Sequence, residues 1–134
     1  MNYRFPVRVY YEDTDAAGIV YYANYFRFME RARTEWLREL GYEQDDLRAR
    51  HGLVFVVRRA EADYLHPARF NDLLWVECDL TDRGRSSLTI GQDICRQSDD
   101  KLLCRGSVQL VCVDIERFRP MSIPAEILEK MNEG

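Results

Sequence analysis

The 134-residue sequence has no long apolar run, no sustained basic stripe and only two histidines. Each shortage removes a class of protein. No segment approaches the roughly 18 consecutive apolar residues that a membrane-spanning helix needs. Met1-Asn2-Tyr3-Arg4-Phe5-Pro6 lacks the apolar stretch of a secretory leader, so the expected location is cytoplasmic. The net charge is −4, and the arginines are scattered or alternate with acids, which argues against a nucleic-acid partner. Cys78, Cys95, Cys104 and Cys112 share no C-x-x-C spacing and all fall in strand-like segments. That pattern predicts buried reduced thiols, not metal ligands or a disulfide framework. His51 and His66 stand in loops outside any Ser/His/Asp or Cys/His pattern, and two histidines make no histidine-rich metal site. There is no internal repeat, linker or low-complexity segment.

What remains is the composition of a soluble globular chain, 46% hydrophobic and 31% charged, of a length that fits one domain over residues 1–134. Val7-Arg8-Val9-Tyr10-Tyr11 reads as a strand from its alternation and β-prone residues. Asn24 is a candidate helix N-cap. From Tyr25 onward Met29, Ala32, Trp36 and Leu40 recur at helical spacing, and Phe26, Phe28 and Leu37 widen the apolar stripe until Gly41 stops it. A short helical turn is expected over Asp45 to Arg50. The period then changes to two. Strands are expected from Phe55 to Tyr64, Leu74 to Thr81, Leu88 to Arg96 and Leu102 to Cys112, with Asp82-Arg83-Gly84-Arg85 as a turn. Pro124 opens a short C-terminal helix through Ile127, Leu128 and Met131. One long helix followed by a run of hairpins indicates an α+β fold with an antiparallel sheet, curled so that it covers the helix.

The segment Glu12-Asp13-Thr14-Asp15-Ala16-Ala17-Gly18 sets acids in a glycine-containing loop just ahead of that helix. Helix N-termini present backbone N–H groups with no helical partner, and the dipole favours negative charge there. A carboxylate beside such donors is the minimum equipment for hydrolysing an acyl group. By residue type alone, Asp15 is equally readable as a turn residue. A calcium loop fails: Asp13, Asp15 and Gly18 match the first, third and sixth positions, but Ala17 and Asn24 stand where an acceptor and a bidentate Glu are needed. Asp13 reads as a structural acceptor, and Tyr21, Tyr22 and Tyr25 as aromatic packing at the start of the helix. Arg83-Gly84-Arg85-Ser86-Ser87 is either an anion-binding turn or a solvated hairpin.

Five stretches together carry a resemblance: Val7 to Asp15, Glu30-Arg31-Ala32-Arg33-Thr34-Glu35, Phe55-Val56-Val57-Arg58, Pro67-Ala68-Arg69 and Val111-Cys112-Val113-Asp114. The chain resembles the hot-dog-fold acyl-CoA thioesterases of the 4-hydroxybenzoyl-CoA thioesterase-like family, over nearly its whole length. The resemblance implies a curved antiparallel sheet wrapped around one long central helix, with a short C-terminal helix. It implies that Asp15, with Gly18 in an Asp-x-x-Gly motif, is the catalytic nucleophile or general base, and that the Tyr22 backbone N–H holds the oxyanion. Relatives commonly carry histidine at the position of Tyr22, a departure that leaves the backbone role intact. Arg58 and Arg59, which follow Val56-Val57, are candidates to line the pantetheine entrance, with Val57 and Arg58 expected to bind substrate; alternatively, one arginine is a strand residue facing solvent. By the same resemblance Arg83, Arg85 and Ser86 contact CoA phosphates. The implied substrate is an acyl-CoA, or an acyl carrier protein thioester, with no cofactor and no metal. The implied assembly is a homodimer that pairs further into a homotetramer. The alternatives are a hot-dog hydratase or dehydratase, and an acyl-thioester-binding scaffold of the cell envelope.

Overall fold

A computed structural model describes residues 3–133. Met1 and Asn2, part of the stretch searched for a leader, lie outside the described residues. Strand β1 spans Tyr3–Arg8, helix α1 Asn24–Glu39, and a short turn of helix, α2, Gln44–Asp46, which runs into a π-type turn over Leu47–His51. Strands β2 (Leu53–Tyr64), β3 (Leu73–Arg83), β4 (Ser87–Gly91), β5 (Ile94–Arg96) and β6 (Leu102–Asp114) follow, and helix α3 closes the chain over Ala125–Glu133. The fold is the α+β hot-dog arrangement, a single antiparallel sheet curved around one long helix.

Helix α1 forms because its apolar positions recur around more than one face; Tyr25, Phe28, Met29, Ala32, Trp36 and Leu37 are all buried. Gly41, with φ +97°, ends it in a conformation that favours glycine. The sheet runs β1-β3-β4-β6-β2, and β5 pairs with the same two neighbours as β4, namely β3 and β6. Inward-facing Leu74, Val76 and Cys78 of β3, and Cys104, Val108, Leu110 and Cys112 of β6, meet α1 in one core. Helix α3 adds Ile127 and Met131 to that core, beside Tyr42.

Three sequence expectations need correction. The first strand is Tyr3–Arg8, not residues 7–11, because Tyr10 leaves the sheet and Tyr11–Asp13 winds into a 3-10 turn tied by the Asp13 N–H to the Tyr10 carbonyl (3.0 Å). Asn24 is the first helical residue and not the cap; its side-chain amide reaches back to the Asp13 carbonyl (2.9 Å). Leu88 to Arg96 is not one strand. It is broken at Gln92 and Asp93, and β4 and β5 share one column of the sheet on either side of the break.

The break exists because the sheet must bend around α1. At the bend Gln92 turns inward and is fully buried. Its amide nitrogen donates to the Met29 carbonyl (2.8 Å) and to Cys78 Sγ (3.3 Å), and its oxygen accepts from Arg33 (2.9 Å). Every polar atom of that side chain is therefore paired, as burial requires. Opposite it, Gly106 marks a close approach of helix to sheet. A Cβ there would stand 2.4 Å from Met29 Cε and 2.7 Å from the Gln92 carbonyl oxygen. The Gly106→Ala variant is expected to lose about 1–3 kcal/mol of stability by overpacking, measured as a lower urea midpoint with an unchanged denaturant slope.

Candidate active site

The acidic loop is a tight turn with defined closure. Thr14 and Val20 form an antiparallel bridge, the Asp15 N–H donates to the Ile19 carbonyl (2.9 Å) and the Gly18 N–H to the Asp15 carbonyl (2.9 Å). Gly18 has φ +79°, a value that favours glycine. Asp15 is exposed, and its Oδ1 accepts from the Ala17 N–H (2.9 Å). The carboxylate is thus held by one oxygen and free at the other. Asp15 is both things that its residue type allowed: a turn residue, and a solvent-facing acid at a fixed place.

Asp13 anchors the turn to the helix. It is buried, its carboxylate accepts from the Tyr10 N–H (2.8 Å), and its carbonyl accepts from the Tyr21 N–H (3.0 Å) as well as from Asn24. With these bonds made, the next two amides have nothing to donate to. Among the described residues no acceptor pairs with the N–H of Tyr22 or Ala23. They sit at the positive end of α1, whose first turn carries no acidic side chain.

An aromatic wall stands beside these donors. The Tyr22 ring meets Tyr21 (centroids 4.9 Å) and Tyr64 (6.0 Å), and Tyr64 meets Tyr25 (5.4 Å). Tyr64, at the end of β2, is a member of this wall that sequence reasoning did not single out; its alternation within β2 was the available signal. A side-chain hydrogen bond with Tyr22 pushes the Tyr21 phenol pKa up, followed by the Tyr22 charge, burial and the Asp15 carboxylate. Tyr25 is buried and its oxygen accepts from the Ala68 N–H (3.1 Å). Burial raises its pKa above the ordinary tyrosine value, only partly offset by that bond.

The other expected site residues lie apart from Asp15 and Tyr22 within one chain. Arg58 falls at a register shift of β2 between Val57 and Arg59, and both Val57 and Arg58 are exposed. Val57 lines a cleft of about 220 Å³ with Arg33, Thr34, Leu37, Phe55 and Leu110. Arg83 ends β3, opposite Leu88, so it belongs to the strand and not to the turn. Arg85 lies beyond it and donates to Ser122 Oγ (2.7 Å), while the Ser86 carbonyl accepts from the Cys112 N–H (2.7 Å). A separate cleft of about 350 Å³ opens beside the loop and is lined by Arg8, Tyr10, Glu12, Asp13 and Arg31, without Asp15. His66 is exposed, and His51 sits 3.7 Å from Glu126. Among the described residues no cluster of three or more His, Cys, Asp or Glu is placed to hold a metal ion. Cys78, Cys104 and Cys112 are buried as expected, whereas Cys95 is only half-buried.

A family model described as the thioesterase-like superfamily matches residues 9–131. The chain belongs to the thioesterase-like superfamily. Among thioesterase-like relatives it is 41% identical to the acyl-CoA thioesterase YbgC of Haemophilus influenzae, covering 94% of this chain and 91% of that protein. It is also 41% identical to the acyl-CoA thioester hydrolase YbgC of Escherichia coli, covering 98% and 96%. In fold it is similar to a 4-hydroxybenzoyl-CoA thioesterase solved with 4-hydroxybenzoyl-CoA, at TM-score 0.90 and 24% identity over 97% of this chain and 98% of that one. A 1,4-dihydroxy-2-naphthoyl-CoA thioesterase from Synechocystis superposes with TM-score 0.92 at 20% identity, over 99% and 97%. Among the described residues no helix of this thioesterase-like chain is long and apolar enough to cross a membrane.

Replacing Tyr25 with Phe keeps the ring but strands the buried Ala68 N–H. The expected cost is about 1–3 kcal/mol, read as a lower thermal midpoint, with the loop's amide exchange accelerated around Ala68 and Val20.

Proposed function

We propose that this protein hydrolyses acyl-CoA thioesters to a free acid and a thiol, with Asp15 as the reacting carboxylate and the amides of Tyr22 and Ala23 as the oxyanion donors. What supports this reading is that two uncommitted N–H groups stand at the start of α1, and that the turn leading into it holds Asp15 with one carboxylate oxygen bonded to the Ala17 N–H. The hydrolase chemistry agrees with the YbgC relatives, both named for acyl-CoA thioester cleavage.

Two routes use the same atoms. As a general base, the free oxygen of Asp15 takes a proton from water while the hydroxide adds to the thioester carbon. As a nucleophile, that oxygen adds directly, and water later cleaves the resulting mixed anhydride. In both, negative charge collects on the carbonyl oxygen against the Tyr22 and Ala23 amides, the C–S bond breaks, and the thiolate takes up a proton. The Ala17 bond to Oδ1 holds the carboxylate in orientation for either route. Arg83 at the end of β3 and Ser86 just beyond it supply polar, cationic groups suited to CoA phosphates, with Arg85 contributing the guanidinium nitrogens that Ser122 leaves free. An acyl carrier protein thioester presents the same reacting atoms and is the second substrate of this reading.

The acting unit is a homodimer, joined at β2 and pairing again into a tetramer. Strand β2 is a twelve-residue edge with its middle exposed, which is the kind of edge that recruits another strand. The opposite edge, β1, is shorter and interrupted by Pro6. A cytoplasmic setting fits four unpaired thiols and a substrate that cells keep inside.

Asp15→Asn retains the acceptor for Ala17, so the fold is expected to hold while kcat on acyl-CoA falls by roughly 10²-fold or more. Thiol release measures it, and near-wild-type turnover would remove Asp15 from the mechanism. Tyr22→Phe keeps the amide and the ring. Its kcat is expected to stay within a few-fold, against the ~10²–10³-fold loss that follows removal of an oxyanion donor; a loss on that larger scale would transfer the role to the phenol.

A further inference from the structure

Helix α2 is clipped to α1 at two points. Arg38 Nε donates to Glu43 Oε1 (2.9 Å), and Gln44 Nε2 donates to Thr34 Oγ1 (3.2 Å). Glu43 and Gln44 are neighbours, while Thr34 and Arg38 stand one helical turn apart on α1. The first clip is an ion pair and fixes the entry into α2. The second is a single neutral bond at the surface, of the kind whose loss shifts an equilibrium only about 2- to 10-fold. A bound ligand can displace it.

Gln44 also stands between two clefts. The first, of about 220 Å³, has Leu37, Phe55, Val57 and Leu110 in its wall together with Thr34 and Gln44. The second, of about 180 Å³, is lined by Leu47, Leu53, Val54 and Phe55, again with Gln44. Gln44 and Phe55 are the residues common to both, and Leu47 and Leu53 are buried, so the second cleft leads toward the core. The charged side chains of the first cleft do not close it to an apolar guest. Arg33 is committed to Gln92 through Nη1 (2.9 Å), and Glu30 is exposed to solvent.

We propose that Gln44 sets the length of acyl chain that the protein accepts. A straight aliphatic chain fills the first cleft, its methyl end stops at the Gln44–Thr34 bond, and only a chain that breaks that bond continues past Phe55 into the second cleft. Each methylene buried before the stop improves binding about fourfold; the next one gains nothing unless the clip opens. This gate presupposes the hydrolase activity and the β2-edge dimer proposed above. Tyr64 packs on Tyr22 at the end of β2, and residues 57–61 in the middle of the strand are exposed. A two-fold axis at Arg59, the centre of that run, sets Tyr64 of one copy opposite Val54 of the other. The aromatic wall beside one catalytic loop then adjoins the first cleft of the second copy.

The test is kcat/KM across saturated straight-chain acyl-CoAs from butanoyl to hexadecanoyl. For the wild type it is expected to rise about fourfold per methylene and then break. Gln44→Ala keeps the Arg38–Glu43 clip, so the fold is expected to hold. Its break should fall at a longer chain, with shorter chains hydrolysed as by the wild type. Thr34→Val keeps the branched shape, removes the acceptor and should move the break the same way, whereas Gln44→Phe, which fills the junction, should move it to a shorter chain. A break that stays in place in any of the three, or a uniform loss across the series, would overturn the gate and leave Gln44 a structural clip. A wild type that sediments as a monomer would overturn the path into the first cleft, and the gate with it. If the wild type cleaves no thioester, the hydrolase reading falls, and calorimetric binding of octanoate and hexadecanoate decides the cleft alone. Tighter hexadecanoate binding by Gln44→Ala with octanoate unchanged supports the gate; the same affinities in both proteins, or no binding, overturn it.

Discussion

A helix that is apolar around more than one face cannot be buried by a flat sheet. That constraint governs the molecule. Trp36, Phe28 and Met29 need cover from several directions, and a single antiparallel sheet supplies it only by bending. The bend is localised where Gln92 breaks the central column of the sheet between β4 and β5 and where Gly106 lets Met29 approach. A polar side chain at the tightest point is tolerated because the helix itself, through the Met29 carbonyl and Arg33, satisfies it. The core and the curvature are then one problem with one solution.

The same wrapping fixes where chemistry can occur. The chain reaches α1 from β1 through a short turn, and the Asp13 carbonyl ties that turn to the helix start through two hydrogen bonds, from the Tyr21 N–H and the Asn24 side chain. These donors lie one on each side of Tyr22 and Ala23, whose own amides have no acceptor among the described residues. Rigid attachment behind and free donors in front is the condition for a preorganised oxyanion site. A looser attachment would let those amides find water or helical carbonyls instead.

Much of this is legible in the residues. The width of the α1 stripe announced a wrapped helix, the period-two run from Leu102 to Cys112 announced a strand, and Gly18 and Gly41 marked positive φ. The acid-then-helix order located the candidate site. The rest depended on contacts between distant segments. Alternation alone continues Leu88 to Arg96 through Gln92, because the bend is imposed by α1 and not by local propensity. Asn24 has cap chemistry, but it lies inside the first turn and its side-chain amide donates back to the Asp13 carbonyl. Arg85 reads as a free cation until Ser122, far along the chain, takes its Nε. Tyr64 joins the aromatic wall only because β2 ends beside α1.

The cysteines acquire a meaning from the reaction. Burial pushes the thiols of Cys78 and Cys104 up to about 12 and that of Cys112 to about 11. The half-buried Cys95 is also raised, by burial first and then by Glu77 and Asp93. A protein that handles activated acyl groups and liberates a free thiol is continuously exposed to two hazards: acyl transfer onto its own sulfur, and mixed disulfides with its own product. Both proceed through the thiolate. By keeping every sulfur protonated at neutral pH, and three of the four out of reach, the core protects the chain from the chemistry carried out on its surface.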